Sequence, residues 1–232
     1  MLDTVGGDSI IISMRALAIV KDGYYHVYNR GVSKQIIFLD TADFARFLFL
    51  LLHLQSPVSI PQVNRYIKNY LKTSDFLVTS DLLHEITATR TVEVVNFCIM
   101  PNHFHLLVHA LEDGAISSYM QKVGNAYSKY FNQRYERSGH VFQGAYKVRE
   151  IGDDNYLSHL SAYIHRNPHE LSQWKDKADI YSWSSYQDMN RSRWGNLLKP
   201  EIIKDSFASF SDYRSYVETS GAKENFEDAL II

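Results

Sequence analysis

Between Thr91 and Ala110 the chain has little freedom to be anything but two β-strands. Thr91 to Met100 is mostly apolar and β-branched, Pro101-Asn102 interrupts it, and His103-Phe104-His105-Leu106-Leu107-Val108 resumes it. Proline suits a strand start, and a two-residue break suits a tight antiparallel connection. Strand side chains alternate faces, so His103 and His105 project from one side while Phe104 points to the other. Two imidazoles flanking a residue that packs inward can share one ion, and we read the pair as one arm of a metal site. The triplet also occurs where histidines are merely half-buried, so the pair needs partners from elsewhere in the chain.

Those partners have to come from the remaining elements. Tyr24 to Arg30 is aromatic and β-branched and closes at Gly31, which marks another strand. Asp40-Thr41-Ala42-Asp43 supplies capping residues for a helix whose apolar residues Phe44, Phe47, Leu48, Leu51 and Leu52 keep helical spacing to about Gln55. Ser56-Pro57 and Ile60-Pro61 break structure, and residues 56–90 read as an insertion with one short helix, Val63 to Lys72. Its Arg65, Lys68 and Lys72 fit a solvated face or a phosphate-contacting surface. After Asp113-Gly114 a long helix runs from Ile116 to Tyr135, with Met120, Val123, Tyr127 and Phe131 in helical register. Tyr146 to Ile151 reads as a fourth strand. Gly152-Asp153-Asp154-Asn155 then supplies a cap for a helix from Tyr156 to about Arg166, stopped by Asn167-Pro168. Tyr163 and Asn167 lie four residues apart and share a face of that helix. A helical stretch from about Pro200 and an acidic tail follow a loop rich in Trp and Ser.

The order strand, helix, strand, strand, helix, strand predicts an α+β, ferredoxin-like antiparallel sheet with the histidine pair on a central strand and a further helix beside it. We therefore expect an N-terminal extension (1–22), one domain over 23–190 with the insertion at about 56–90, and a helical C-terminal extension (191–232).

With 45% hydrophobic and 22% charged residues, disordered and fibrous classes are excluded. A net charge of −2 argues against a protein that coats duplex nucleic acid. The sum conceals a local excess, because Lys122, Lys129, Arg134, Arg137, Lys147 and Arg149 face only one acidic residue, Glu136, in that segment. Tyr and Phe are interleaved with them, a pattern that suits single-stranded nucleic acid. Gln143, within the same segment, fits either packing or a DNA contact. A lone cysteine, Cys98, rules out a disulfide within the chain, and the apolar runs are too short to span a bilayer. These features predict a cytoplasmic protein with no membrane partner.

Three blocks, Met100-Pro101-Asn102-His103-Phe104-His105-Leu106-Leu107-Val108, Gly139-His140-Val141-Phe142-Gln143-Gly144 and Tyr163-Ile164-His165-Arg166-Asn167-Pro168, stand in an order and spacing that resembles the single-tyrosine HUH transposases. The REP-associated tyrosine transposases and their insertion-sequence relatives are the most similar, over roughly residues 23–190. The resemblance implies that His103 and His105 bind a divalent metal, that Asn167 completes the metal site, and that Tyr163 attacks DNA. It implies hairpin-bearing single-stranded DNA as substrate, cleaved and rejoined through a 5′-phosphotyrosine. Imidazole and amide ligands favour Mg²⁺ or Mn²⁺ in function and also accept Ni²⁺, Co²⁺ or Zn²⁺ in a purified sample. Relatives act as monomers or as homodimers. One departure is Ala145, where the family often has arginine.

Read from the residues alone, several roles stay open. Tyr127, Tyr130 and Tyr156 compete with Tyr163, and Asn167 serves equally as a helix cap. His26 and Asn29 fit cross-strand packing, and His159 and His165 fit ordinary satisfied histidines. The competing function is a non-cleaving single-stranded nucleic-acid-binding module of the same fold. A zinc hydrolase lacks a suitably placed carboxylate base.

Overall fold

A computed structural model describes residues 18–220. The acidic tail and most of the N-terminal extension lie outside them. Four strands, β1 (Tyr24–Arg30), β2 (Val92–Met100), β3 (His103–Ala110) and β4 (Lys147–Ile151), form one sheet in the order β2-β3-β1-β4, each neighbouring pair antiparallel. This is the expected ferredoxin-like order, with the histidine strand β3 between β2 and β1.

Period-two alternation divides the sheet's side chains between two cores. On one face Tyr25, Val27, Phe104, Leu106 and Val108 pack with α1 (Thr41–His53) and α4 (Ala115–Arg134). On the other, Cys98, Met100 and Leu107 pack with α5 (Asp154–Arg166), α6 (Glu201–Lys204) and α7 (Phe210–Thr219). A bulge between Val94 and Asn96 inverts the alternation of β2. Val92 and Val94 therefore join the first core, while Asn96, Cys98 and Met100 turn toward α5.

Local chemistry sets the element ends. Asp40 caps α1, its side chain accepting from the N–H groups of Ala42 and Asp43, and Asp153 caps α5 by accepting from Tyr156 N. The Pro101-Asn102 turn is clasped by the segment after β1, with Ile37 N and Phe38 N donating to Pro101 O and Gly31 N donating to Asn102 O. Gly31 permits that approach, because a Cβ there would lie 2.3 Å from Gln35 O.

The insertion holds two helices, correcting the expectation of one. α2 (Val63–Thr73) is the expected helix. Residues 80–89, which the pattern leaves unassigned, form α3 (Ser80–Thr89), capped by Thr79. Only Ile86 of α3 is buried, and a single buried residue leaves little periodic signal.

α5 is fixed in register by a file of buried hydrogen bonds. Asn96 Nδ2 donates to Ser161 Oγ (2.5 Å), and Ser161 Oγ meets the Tyr213 hydroxyl at 2.6 Å. That hydroxyl meets His165 Nδ1 (2.5 Å), and His165 Nε2 meets Ser185 Oγ (2.8 Å). Ser185 Oγ returns to β2, accepting from Phe97 N (2.8 Å) and donating to Phe97 O (3.2 Å). Burial, with a smaller contribution from Arg193, holds His165 down to about 3, so the ring is neutral and carries one proton. One direction of donation then satisfies every link: Asn96 to Ser161, Ser161 to Tyr213, Tyr213 to His165, His165 to Ser185, Ser185 to Phe97 O.

Tyr213→Phe removes the central hydroxyl and strands two buried polar groups, so the unfolding free energy should fall by about 2–3 kcal/mol in urea denaturation. A variant as stable as the parent would show that the file is not what anchors α5. His53 supplies a pH test. It is buried, its Nδ1 bonds to Phe49 O (2.9 Å), and burial outweighs that bond to hold it at about 4. Between pH 6.5 and 4 the unfolded chain therefore binds the extra proton, and stability present above that window is lost as pH falls through it, by up to about 3 kcal/mol. His53→Leu should flatten the pH dependence of stability across that window by up to one proton.

Candidate active site

Directly paired residues of an antiparallel ladder share a face, and the pairing assembles one array. Arg30 lies opposite His103, Tyr28 opposite His105, and His26 opposite Leu107. On the other side of β1, Lys147 lies opposite Tyr28 and Arg149 opposite His26. This is the face that α5 covers.

His103 is lodged between two amide oxygens. Asn102 Oδ1 is 2.7 Å from its Nδ1 and Asn167 Oδ1 is 3.2 Å from its Nε2. Both oxygens are oriented by their own amide nitrogens, Asn102 Nδ2 donating to Lys34 O and Asn167 Nδ2 donating to Tyr163 O (2.8 Å). His105 Nδ1 lies 2.9 Å from His26 Nε2, while its Nε2 is buried and has no hydrogen-bond partner among the described residues. The two β3 rings stand 5.1 Å apart and nearly perpendicular. The Tyr163 ring meets His105 edge-on at 5.2 Å and His26 at 6.0 Å.

Burial keeps these imidazoles neutral. His105 is held well below its ordinary value by desolvation first, then by His103 and His26. His26 is held at about 3 by desolvation and then by Arg149, and His103 is also lowered chiefly by burial. A neutral imidazole has a single N–H, yet His103 faces an acceptor at each nitrogen. Either tautomer leaves one nitrogen lone pair directed at an oxygen lone pair.

The structure thus brings His103, His105, Tyr163 and Asn167 together and adds His26. Cross-strand packing is not the whole of His26's role, as it bonds directly to His105. Alternation could have found it, since His26, Tyr28 and Arg30 are spaced by two. Asn29 faces away and donates to Gly144 O. Asn167 both ends α5 and faces His103, so cap and site contact are made by one side chain. The competitors Tyr127 and Tyr130 sit on the opposite face, donating to Ile37 O and to Asp43. Tyr156, at the start of α5, lies under the Arg149 guanidinium. His159 bonds to Tyr216.

Residues 55–167 match the family model described as Transposase IS200 like. Over these residues the chain is similar to the IS200-like transposases. Its match runs from just after α1 to Asn167, and so takes in β2, β3, α4, β4 and α5. A solved structure of "the REP associates tyrosine transposase bound to a REP hairpin" is 15% identical, covers 77% of this chain and 86% of that chain, and has a TM-score of 0.48. No curated protein matches the chain. Members of the IS200-like family generally use a divalent metal. Among the described residues, no three His, Cys, Asp or Glu side chains converge to hold an ion, and none of the helices is long and apolar enough to cross a membrane.

The seven expected DNA-contacting residues are scattered. Lys147 and Arg149 lie on the tyrosine face. Gln143 Oε1 accepts from Arg30 Nε (2.7 Å) and so orients a guanidinium beside His103. Lys129 is exposed on α4. Lys122 donates to Ser56 O (2.8 Å), and Arg137 bonds to Gln35 while covering Phe131. Arg134 is engaged with Asp40 (2.5 Å) and with the fully buried Asp43 (2.7 Å), whose carboxylate also accepts from the hydroxyls of Tyr130 and Tyr135.

Arg134→Ala would leave the Asp43 charge buried without its cation, and we expect it to lower the unfolding free energy by about 2–3 kcal/mol. Urea denaturation reads this directly. An unchanged midpoint would mean that the two tyrosines suffice for Asp43.

Proposed function

We propose that this chain is a transposase that cleaves and rejoins hairpin-bearing single-stranded DNA, with Tyr163 as nucleophile and with His103, His105 and Asn167 holding a divalent cation, Mg²⁺ or Mn²⁺. The observation that carries this reading is the mismatch of protons and acceptors beneath Tyr163. The buried Nε2 of His105 has no partner among the described residues, and one nitrogen of His103 faces an oxygen with no proton between them. Such a set of lone pairs costs stability when empty and is met by a cation. The amide oxygen, phosphate oxygens and water suit Mg²⁺ or Mn²⁺, while the imidazoles suit first-row transition ions. The mixed set therefore accepts Mn²⁺ readily, and three ligands leave room for phosphate oxygens and water.

When bound, the cation would offset charge on the non-bridging oxygens of the phosphodiester. The remaining chemistry belongs to the chain. The Tyr163 oxygen bonds to phosphorus as the bond to the 3′ oxygen breaks. The phenol gives up a proton and the departing 3′ oxygen gains one. The resulting 5′-phosphotyrosine keeps a phosphodiester-level bond for rejoining, when a 3′-hydroxyl attacks and Tyr163 leaves. His26 orients the His105 ring, and Arg30, held by Gln143, adds positive charge beside His103. Lys147 and Arg149 extend that charge along β4, a path for a strand's phosphates. Tyr163 meets the histidines of its own chain, so the reading needs one copy only. We take residues 23–190 as the catalytic unit, with the later segment bracing α5 through Tyr213.

The test incubates the full chain with single-stranded hairpin DNA from beside its own gene. In Mn²⁺ a covalent adduct should form, EDTA should suppress it, and Tyr163→Phe should abolish it. His103→Ala should slow cleavage at least about 100-fold, roughly 3 kcal/mol of transition-state stabilisation. Cutting in EDTA, or an adduct that survives the Phe substitution, would sink the mechanism. Tight hairpin binding with no adduct under any condition would instead identify the non-cleaving module.

A further inference from the structure

On the face of the sheet away from Tyr163, α4 and the loop of residues 139–146 enclose a groove of about 670 Å³. One wall is a stripe of α4, Ser117, Gln121, Asn125 and Ser128, spaced so that all lie on one side of the helix. The floor includes Phe104 and Phe142. No lysine, arginine, aspartate or glutamate is among the lining residues. Hydroxyls and amides above aromatic rings match the edges and faces of bases, whereas phosphates call for cations.

Gly124 is the second observation. It sits within α4 on the same stripe and lines the groove, where glycine weakens a helix relative to alanine. Its φ is not positive, and a Cβ there would meet no atom within 4 Å. Nothing in the chain's own packing or backbone geometry calls for glycine, and its effect is to bare the helix backbone toward the groove.

The groove backs onto the tyrosine face across β1. Asn29 lines it, while the residues on either side, Tyr28 and Arg30, belong to the array around His103 and His105. Between the two lies an exposed rim of Gly144 and Ala145. Ala145 puts only a methyl on that rim, where the family often has arginine.

We propose that the groove takes an unpaired nucleobase of the same DNA strand, seated against Gly124 and read by Gln121 and Asn125. The proposal rests on the single-strand cleavage reading above. The phosphates would follow the basic strip, and the strand would cross the Gly144–Ala145 rim to deliver the base.

The test measures binding of the full chain, by fluorescence anisotropy in EDTA, to hairpin DNA carrying a single abasic site at each unpaired position in turn. One position should weaken binding to the parent protein at least about tenfold. Gly124→Gln and Asn125→Ala should weaken binding to intact DNA comparably and lose sensitivity to that abasic site, the non-additivity that marks a direct contact. Gly124→Ala keeps the fold in play: its melting temperature should rise by about 2–4 °C while its affinity falls. Additive effects at every abasic position, or a Gly124→Gln variant that binds like the parent, would overturn the groove. Failure of the cleavage reading looks different, appearing as absence of the Tyr163 adduct with the coupling between Gly124 and the abasic site intact, a result that supports the groove.

Discussion

One file of hydrogen bonds, leaving β2 at Asn96 and returning to it at Phe97, decides where α5 sits. Apolar packing alone would hold the helix against the sheet and leave its axial position loosely specified, since a slide of one turn moves it only about 5 Å. The file removes that latitude, because any slide would strand Ser161 and His165 in a dry interior. Tyr163 lies between those two residues in sequence, so the bonds that place them also place the tyrosine ring against His105. Tyr213 of α7 is the middle link, which makes the C-terminal helices part of the same mechanical unit as the sheet.

The site and its surroundings separate two kinds of electrostatics. Beneath Tyr163 the histidines are neutral through burial, so their lone pairs are available to a cation without first losing a proton. Around them Arg30, Lys147 and Arg149 supply fixed positive charge along β1 and β4. Across the sheet the α4 groove carries none. An overall acidic chain can therefore still handle a polyanion, provided the strand is led along one edge rather than wrapped.

What could be read from the sequence depended on whether a signal was local and periodic. The hairpin, the Asp40 and Asp153 caps and the shared helical face of Tyr163 and Asn167 are all such signals, and the structure keeps each of them. α3 has a cap but only one buried residue, so its period is faint. His26 was visible as a strand residue, but its bond to His105 runs diagonally across a strand pairing that no local pattern reveals. The basic count from Lys122 to Arg149 could not distinguish Arg134, committed to a buried carboxylate, from Lys147, on the open face. The hydrogen-bond file is hidden for the same reason: its members come from four separate segments, and nothing in the neighbourhood of Ser161 or Ser185 announces a partner.

The bulge at Val95 has a consequence for how this chain can vary in length. It acts as a phase switch, letting Val92 and Val94 face α1 and α4 while Asn96 and Cys98 face α5. Delete Val95 and β2 would run as a single unbroken alternation with every remaining side chain on its present face, Val94 toward α1 and α4, Asn96 toward Ser161 and still opposite Leu107. Surface loops usually absorb gains and losses of residues without harm. Here a buried strand holds one position, Val95, whose loss would leave the tyrosine helix matched to the histidine strand, whereas the loss of an interior residue on either side of it would turn part of β2 over.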